Sequence, residues 1–391
     1  MKKLLCRMLA FLLVCFILTG CSSSQLGLGT GSVQVIDSED TSINSNKFKP
    51  IIKTKESASL KDDFWVLFFD VGQADSALIQ CNGHYMLIDG GNKDDSSLLF
   101  TVINEYGIKK LDYIIGTHPH EDHVGGIPGA LSAASAGIVF SPMKDYDSDY
   151  FNDFAKYTNL NSEAMVIPEI GDKYTLGDAK IEIFGLNASK SDLNDTSIIA
   201  MITYEDTKFL FTGDATDPSE KVILDSGYDL NATVLKVGHH GSDTSSSEQF
   251  INAVSPEYAV ISVGSNNDYG HPHEGVLNRL SKSGAKIYRT DKNGDVLISS
   301  DGKNIGVTVE KKASEEEIMK PGGYLVKDSV KEDVIKYTDV QQYIGNKNSK
   351  KFHYSYCDSV SSMSEKNKVV LQGTREEIIN QGYEPCGGCK P

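Results

Sequence analysis

The chain has 391 residues, 39% of them hydrophobic, which is enough for one large core or two smaller ones. Its formal net charge of −16 excludes a broad basic groove for nucleic acid at the level of the whole chain. A polyanionic substrate stays within reach only where bound metal ions carry the local positive charge.

Residues 1–20 read as a secretion signal. Lys2, Lys3 and Arg7 form a basic start, and Met8 to Leu18 is an apolar run too short to span a bilayer comfortably. Leu18-Thr19-Gly20-Cys21 follows, and it resembles the lipobox of bacterial lipoproteins, whose cysteine is lipidated. The resemblance implies anchoring through Cys21 at the extracellular face of the bacterial cytoplasmic membrane. Two or three acyl chains would make that anchor stable, since one chain binds only marginally. Residues 21–60 are rich in Ser, Gly, Thr, Asn and Lys with no sustained period and read as a tether. About 38 such residues reach on the order of 35 Å.

Over residues 61–310 short β-type runs alternate with helical ones. The runs 64–69, 85–88, 113–115, 181–184, 198–203, 209–211, 234–237, 259–263 and 286–288 are β-branched or aromatic and bounded by Gly, Asp or Asn, so they read as strands. Cys81 sits in a further apolar, strand-like run and reads as a buried thiol. Helices are expected over 96–106, 218–226, 246–253 and 274–283. Strands interleaved with helices indicate a layered α/β domain. Residues 311–345 are charged and polar and read as a linker, and 346–391 as a small separate module.

The strongest chemical signal is His118-x-His120-x-Asp122-His123, directly after the apolar run that ends at Ile115. Three imidazoles and a carboxylate delivered by one strand end suit zinc, iron or manganese, and let one loop serve two adjacent ions. Gly125-Gly126 then permits a tight turn. This cluster resembles the metallo-β-lactamase fold. Other segments agree in order: Phe69-Asp70-Val71-Gly72-Gln73-Ala74-Asp75-Ser76 is similar to the FDVGQGDS signature of the competence-protein (ComEC-type) branch, with Ala74 in place of a glycine. Leu87-Ile88-Asp89-Gly90-Gly91, Asn194-Asp195-x-Ser197, Phe211-Thr212-Gly213-Asp214-Ala215, Lys236-Val237-Gly238-His239-His240-Gly241-Ser242 and Tyr269-Gly270-His271-Pro272 follow.

The resemblance implies an αββα sandwich holding two divalent ions, zinc or manganese. One ion falls to His118 and His120, the other to Asp122 and His123, with Asp214 as the bridging carboxylate and His240 as the later histidine ligand. His239 is then a neighbour able to pass a proton, and His271 lies near the substrate. Asp195 stands where many members of the fold carry a third histidine, which makes the set more oxygen-rich. Asp122, Asp214 and His239 are therefore the expected catalytic groups, and Asp89 a support for the ligand loop. Two adjacent divalent ions activate water and hold attacking and leaving oxygens, which fits phosphodiester cleavage. No serine triad is indicated, because neither Gly213-Asp214-Ala215 nor Gly241-Ser242 has the nucleophile-elbow pattern.

In the last 46 residues, His353-x3-Cys357 and Cys386-x2-Cys389 supply four soft ligands. Such a set suits one structural zinc ion, and a segment this small has too little core without a staple. The segment resembles the Ada-type metal-binding module, with His353 in place of one cysteine; that departure favours a structural or DNA-binding role over methyl-acceptor chemistry. It holds seven Lys/Arg against five Asp/Glu, a mild point toward nucleic acid.

The reading that joins these parts is a lipid-anchored metal-dependent phosphodiesterase or nuclease acting on DNA or another phosphodiester, with DNA-uptake or cell-wall components as partners. Its alternatives are a cell-wall phosphodiesterase of the teichoic-acid phosphorylcholine type and a non-catalytic, zinc-stabilised binding protein.

Overall fold

In the computed structural model the described residues are 63–185, 192–323, 341–354, 357–373 and 375–387. The signal, Cys21 and the tether lie outside them.

The chain opens with strands β1 (Phe64–Phe68), β2 (Ser76–Cys81) and β3 (His84–Gly90), then helix α1 (Ser96–Glu105) and β4 (Lys110–Ile115). Helices α2 (Glu121–Val124) and α3 (Ile127–Ala133), strand β5 (Ser135–Phe140), helix α4 (Asp149–Asn161) and strand β6 (Ser162–Val166) complete the first half. The second half runs β7 (Lys173–Leu176), β8 (Ala179–Gly185), β9 (Ile199–Tyr204), β10 (Thr207–Phe211), α5 (Asp217–Ser226), β11 (Val234–Lys236), α6 (Glu248–Val254), β12 (Tyr258–Ile261), α7 (Glu274–Lys282) and β13 (Lys286–Arg289). Helix α8 (Thr290–Asn293), strands β14 (Val296–Ser300) and β15 (Ile305–Val309) and helix α9 (Glu315–Met319) close the domain.

Two mixed sheets result, in the orders β15-β14-β1-β2-β3-β4-β5-β6 and β13-β12-β11-β10-β9-β8-β7. In each, antiparallel meanders give way to parallel strands: β3 to β6 in the first, β10 to β13 in the second. The period-2 alternation of β1 shows why the sheets stack. Phe64, Val66 and Phe68 join Ile181, Ile183, Ile202, Phe209 and Phe211 in a core between the sheets. Trp65 and Leu67 face the other way, into a core with Leu99, Val102, Ile127 and Phe154 of α1, α3 and α4. The outer face of the second sheet packs on Ile223, Phe250, Ile251, Val276 and Leu277 of α5, α6 and α7. Each buried aliphatic or aromatic side chain contributes about 1.5–3 kcal/mol. Helix, sheet, sheet and helix layers are thus the expected αββα arrangement.

Every run read as a strand overlaps an observed one, and the four expected helices are α1, α5, α6 and α7. Helix α4 was not among the expected elements, although Phe151, Phe154 and Tyr157 recur at helical spacing on its buried face; Ser148 caps it, accepting from Phe151 N at 3.2 Å. Strand β14 is buried on both faces and so lacks alternation.

The stretch 311–345, expected as a linker, is structured at both ends. Helix α9 buries Ile318, and Arg289 donates to the carbonyl oxygens of Ile318 and Lys320 at 2.8 and 2.5 Å. Strand β16 (Gln341–Asn346) begins inside the same stretch, and residues 324–340 lie outside those described. With β17 (Lys351–His353), β18 (Lys368–Gly373) and β19 (Glu384–Pro385) it makes a four-stranded sheet in the order β18-β16-β17-β19. Tyr343, Phe352, Tyr354 and Tyr383 of this module share the α1-side core with Leu99 and Val102, and the Tyr354 hydroxyl bonds the Asp94 carboxylate.

Gly129 in α3 tests the close α1–α3 packing. A Cβ there would lie 1.9 Å from the Ser96 carbonyl oxygen. Glycine to alanine in a helix normally gains up to about 1 kcal/mol, yet here backbone meets backbone and overpacking of about 1–3 kcal/mol wins. Gly129→Ala is expected to lower the urea midpoint; an unchanged or raised midpoint would contradict the packing.

Candidate metal centre

Apart from Asp195, the expected ligands of this centre follow the carboxyl ends of strands. Thr117 to His123 follow β4, Gly213-Asp214 follow β10, and His239-His240 follow β11. Thr117 O accepts from Ile198 N at 2.9 Å, and His239 N donates to Gly213 O at 3.1 Å, so the loops of both sheets are laced together. Gly213 is required by space and conformation. It has φ of +51°, and a Cβ would sit 2.8 Å from Thr117 Oγ1 and 2.9 Å from Ser197 Oγ. His239 and His240 both take left-handed backbone, with φ of 49° and 53°. Non-glycine residues persist there only where the surroundings over-determine them, at about 1–3 kcal/mol each.

One oxygen-and-nitrogen group forms the centre. Ligand atoms of Asp122, His123, Asp214 and His240 lie within 4.8 Å of one another. Asp214 joins them: its Oδ1 is 3.3 Å from His123 Nε2, and its Oδ2 is 3.4 Å from His240 Nε2 and 4.0 Å from His118 Nε2. His118 Nε2 is in turn 3.0 Å from His120 Nδ1. The carboxylate thus reaches His123 with one oxygen and both His240 and His118 with the other, and His118 is in turn paired with His120.

Electrostatics follow from burial and crowding. Burial alone would depress the His123 imidazolium, but Asp214, Asp89 and Asp122 hold it well above the ordinary histidine value. His240 is likewise opposed by burial and raised by Asp214 and Asp75. Burial opposes ionisation of Asp214, yet His123 and His240 keep it well below the usual carboxylate range. His118 goes the other way, depressed by burial and by the nearby His123. A crowd of carboxylates held charged beside titratable imidazoles is a candidate functional site on physical grounds.

A second ring of partners aims the ligands. Asp89 accepts from Thr117 N and Thr117 Oγ1, each at 2.8 Å, and from His123 Nδ1 at 2.8 Å. His123 Nε2 is thereby left pointing at Asp214. His240 Nδ1 meets Ser262 O at 3.0 Å and lies 3.2 Å from Asp75 Oδ1. Asp75 also pairs with the buried Lys236 at 2.7 Å. The Asp75 carboxyl is held low against burial by Lys236 and His240.

Of the other expected residues, His239 stands outside His240. Its Nδ1 meets Thr244 Oγ1 at 3.0 Å, and its Nε2 is 3.8 Å from Asp214 Oδ2. Burial, with Asp214 opposing, lowers its pKa. His271 Nδ1 lies 3.4 Å from Gln73 Nε2, and burial together with His240 pushes His271 down to about 3. Both histidines line a pocket of about 370 Å³ with His120, Asp122, Asp214 and His240.

Asp195 departs from the expected ligand set. Its Oδ1 accepts from Thr216 N, Thr216 Oγ1 and Ser219 Oγ at 3.3, 2.6 and 2.8 Å, which anchors the start of α5. The neighbouring Asn194 lines the pocket instead. A short carboxylate followed two dozen residues later by Thr-Asp-Pro-Ser is also what a helix start requires, and the structure uses it that way. Gln73 and Tyr269, motif positions with no expected role, also line the pocket with Tyr150, and the motif positions Asp75 and Lys236 form a buried pair. Lysine at the end of the otherwise apolar run Val234–Lys236 was the available signal.

In the terminal module His353, Cys357 and Cys386 come together within 4.8 Å, all buried, with His353 Nδ1 3.4 Å from Cys357 Sγ. Cys389 lies outside the described residues. Two thiols and an imidazole are donors of the type that zinc takes in a closed site.

The first centre fits metal on its own evidence. His123 Nε2 and Asp214 Oδ1 are buried with no well-formed hydrogen bond, facing only each other at 3.3 Å, and weakly satisfied buried polar atoms are costly. A cation between them would satisfy both.

Residues 69–265 match the family model described as the metallo-beta-lactamase superfamily. Among curated proteins, ComE operon protein 3 of Bacillus subtilis (strain 168) is 29% identical over 248 residues, 58% of this chain and 32% of that protein. Competence protein ComA of Neisseria gonorrhoeae is 32% identical over 232 residues, 59% of this chain and 31% of that one. The chain thus spans about a third of the length of these relatives. A solved metallo-beta-lactamase fold protein, YhfI from Bacillus subtilis, aligns at 15% identity and TM-score 0.40 over 63% of this chain and 100% of that one.

The support from Asp89 has a measurable consequence. Removing such a partner of a metal-ligating histidine typically weakens metal affinity ~10–100-fold. Asp89→Asn is expected to weaken manganese or zinc binding by that order in a chelator competition. Unchanged affinity would mean that Asp89 supports only the fold.

Proposed function

The chain belongs to the metallo-beta-lactamase superfamily, and from that premise we propose that it is a two-metal phosphodiesterase whose substrate is DNA. The observation that carries the proposal is the convergence of Asp122, His123, Asp214 and His240 on one buried point beside an open pocket. The competence names of its relatives support DNA as the phosphodiester.

Asp122, His123 and His240 would hold one divalent ion, His118 and His120 the other, with Asp214 shared between them. Such ions, when bound, polarise phosphoryl oxygens and activate water. The chain's own residues do the rest. Asp89 and the Asp75–Lys236 pair fix the imidazoles with their Nε2 atoms turned inward. His239, held at Nδ1 by Thr244, presents Nε2 to the pocket, where it can hold or pass the proton of a leaving alkoxide. General acid–base help of that kind is typically worth ~10²–10⁴-fold. Gln73 accepts from Gly264 N at 3.1 Å and reaches His271 with its amide, which fixes that side of the pocket.

The same proposal puts the enzyme at the extracellular face of the cytoplasmic membrane, anchored through Cys21. Its support is the sequence of residues 1–24. Among the described residues no helix is long and apolar enough to cross a membrane. The terminal module is proposed to carry one structural zinc at His353, Cys357, Cys386 and Cys389.

Incubating the full chain with linear DNA and bis-p-nitrophenyl phosphate, with manganese or zinc, tests the activity. Both should be cleaved, and Asp214→Ala should lose on the order of 10³-fold or more in kcat. No cleavage of either by metal-loaded protein would sink the proposal. Cleavage of the small diester alone would move the substrate to a cell-wall polymer.

A further inference from the structure

The loop 264–273 after β12 is built as a rigid platform. Asn267 braces it from inside: its Oδ1 accepts from Tyr269 N at 3.1 Å and His271 N at 3.0 Å, and its Nδ2 donates to Gly264 O at 2.9 Å and His271 O at 2.6 Å. His273 Nε2 meets Tyr269 O at 3.2 Å, and His273 Nδ1 accepts from Asp243 N at 3.0 Å. Yet Tyr269, whose backbone N and O are both held by this bracing, is 61% exposed. Its ring lies nearly parallel to that of His271, with centroids 5.5 Å apart and planes at 22°. His271 is in turn nearly parallel to His240, at 6.4 Å and 24°. Three rings thus step from solvent to the metal group.

The rest of the pocket explains what such a step is for. None of the described residues lining it is Lys or Arg, while Glu121, Asp122 and Asp214 are acidic. A phosphate chain approaching the centre meets no Lys or Arg among these described residues, so an uncharged contact adds to what the metal ions and the imidazoles supply. An exposed, pre-oriented aromatic ring provides one, because every nucleobase has a π-face and stacks without regard to sequence.

We propose that Tyr269 is a stacking platform for an unpaired nucleobase at the mouth of the site, so that the pocket takes single-stranded nucleic acid and selects it over phosphodiesters that carry no base. The proposal rests on the phosphodiesterase reading for its substrate class, and it deepens that reading by naming what lies beside the scissile phosphate. A base paired inside a duplex has both faces occupied by its neighbours, so the nucleotide at the platform has to be unpaired, as it is in a single strand or at the frayed end of linear DNA.

The test compares an oligothymidylate with an oligomer of equal length in which every nucleotide is abasic, using the full chain with manganese. Losing a base–aromatic stack corresponds to about 5–150-fold. Tyr269→Ala should therefore lower kcat/KM for oligothymidylate by that order, through KM rather than kcat. Tyr269→Trp should restore it, and the abasic oligomer should respond to neither substitution. Equal responses of both oligomers, or none from either, would overturn the platform. Should the protein cut neither oligomer, the phosphodiesterase reading fails by itself, and equilibrium binding by fluorescence anisotropy decides the platform. Base-dependent binding lost in Tyr269→Ala and regained in Tyr269→Trp supports it; binding without base dependence overturns it.

Discussion

Three hydrogen bonds converge on the carboxylate of Asp89, from Thr117 N, Thr117 Oγ1 and His123 Nδ1, and the rest of the site depends on them. They tie the end of β3 to the loop after β4 and decide which nitrogen of His123 faces Asp214. The consequence is electrostatic. Asp75, Asp89, Asp122 and Asp214 are gathered around two histidines, His123 and His240, and one lysine, Lys236. Buried like charges at such spacing repel strongly unless cations are interposed. The same carboxylates push the His123 and His240 imidazoles well above the ordinary value, the direction expected where positive charge is favoured. Divalent cations displace imidazole protons when they bind, and the folded chain is therefore arranged to favour metal.

The two sheets supply this constellation by a simple division of labour. Their shared core of Phe64, Val66, Phe68, Phe209 and Phe211 fixes the distance between them. The parallel halves, β3 to β6 and β10 to β13, then bring the ends of β4, β10 and β11 to one rim. Glycines allow the closest approaches. Gly126 would place a Cβ 2.0 Å from Gly90 O, so the ligand loop can lie against the end of β3 only without a side chain. The terminal module joins the helix layer on the α1 side, where Tyr354 bonds Asp94 close in sequence to Asp89.

Much of this was legible in the sequence because the informative residues are local. His118, His120, Asp122 and His123 lie within six residues, in the turn after β4 and in helix α2, and Asp214 and His240 each sit in a short glycine-flanked turn after an apolar strand. Residues whose role depends on distant partners were harder to read. Asp75 and Lys236 are separated by most of the domain and meet only once both sheets are formed. Asp195 shows the opposite hazard: a carboxylate in the right order along the chain, turned by Thr216 and Ser219 to the start of α5. Strand β14, buried on both faces, gave no periodic signal. Tyr269 opens a motif read for its histidine, His271, and its own place at the pocket mouth shows only in the folded loop.

The central claim is that Asp122, His123, Asp214 and His240 enclose a metal ion beside the pocket. Anomalous diffraction at the metal absorption edge, from crystals of the full chain grown with manganese and zinc, tests it most directly. The account predicts a peak bounded by these four side chains, with a neighbour on the His118–His120 side of Asp214. Anomalous density confined to His353, Cys357 and Cys386, with none at Asp214, would contradict it.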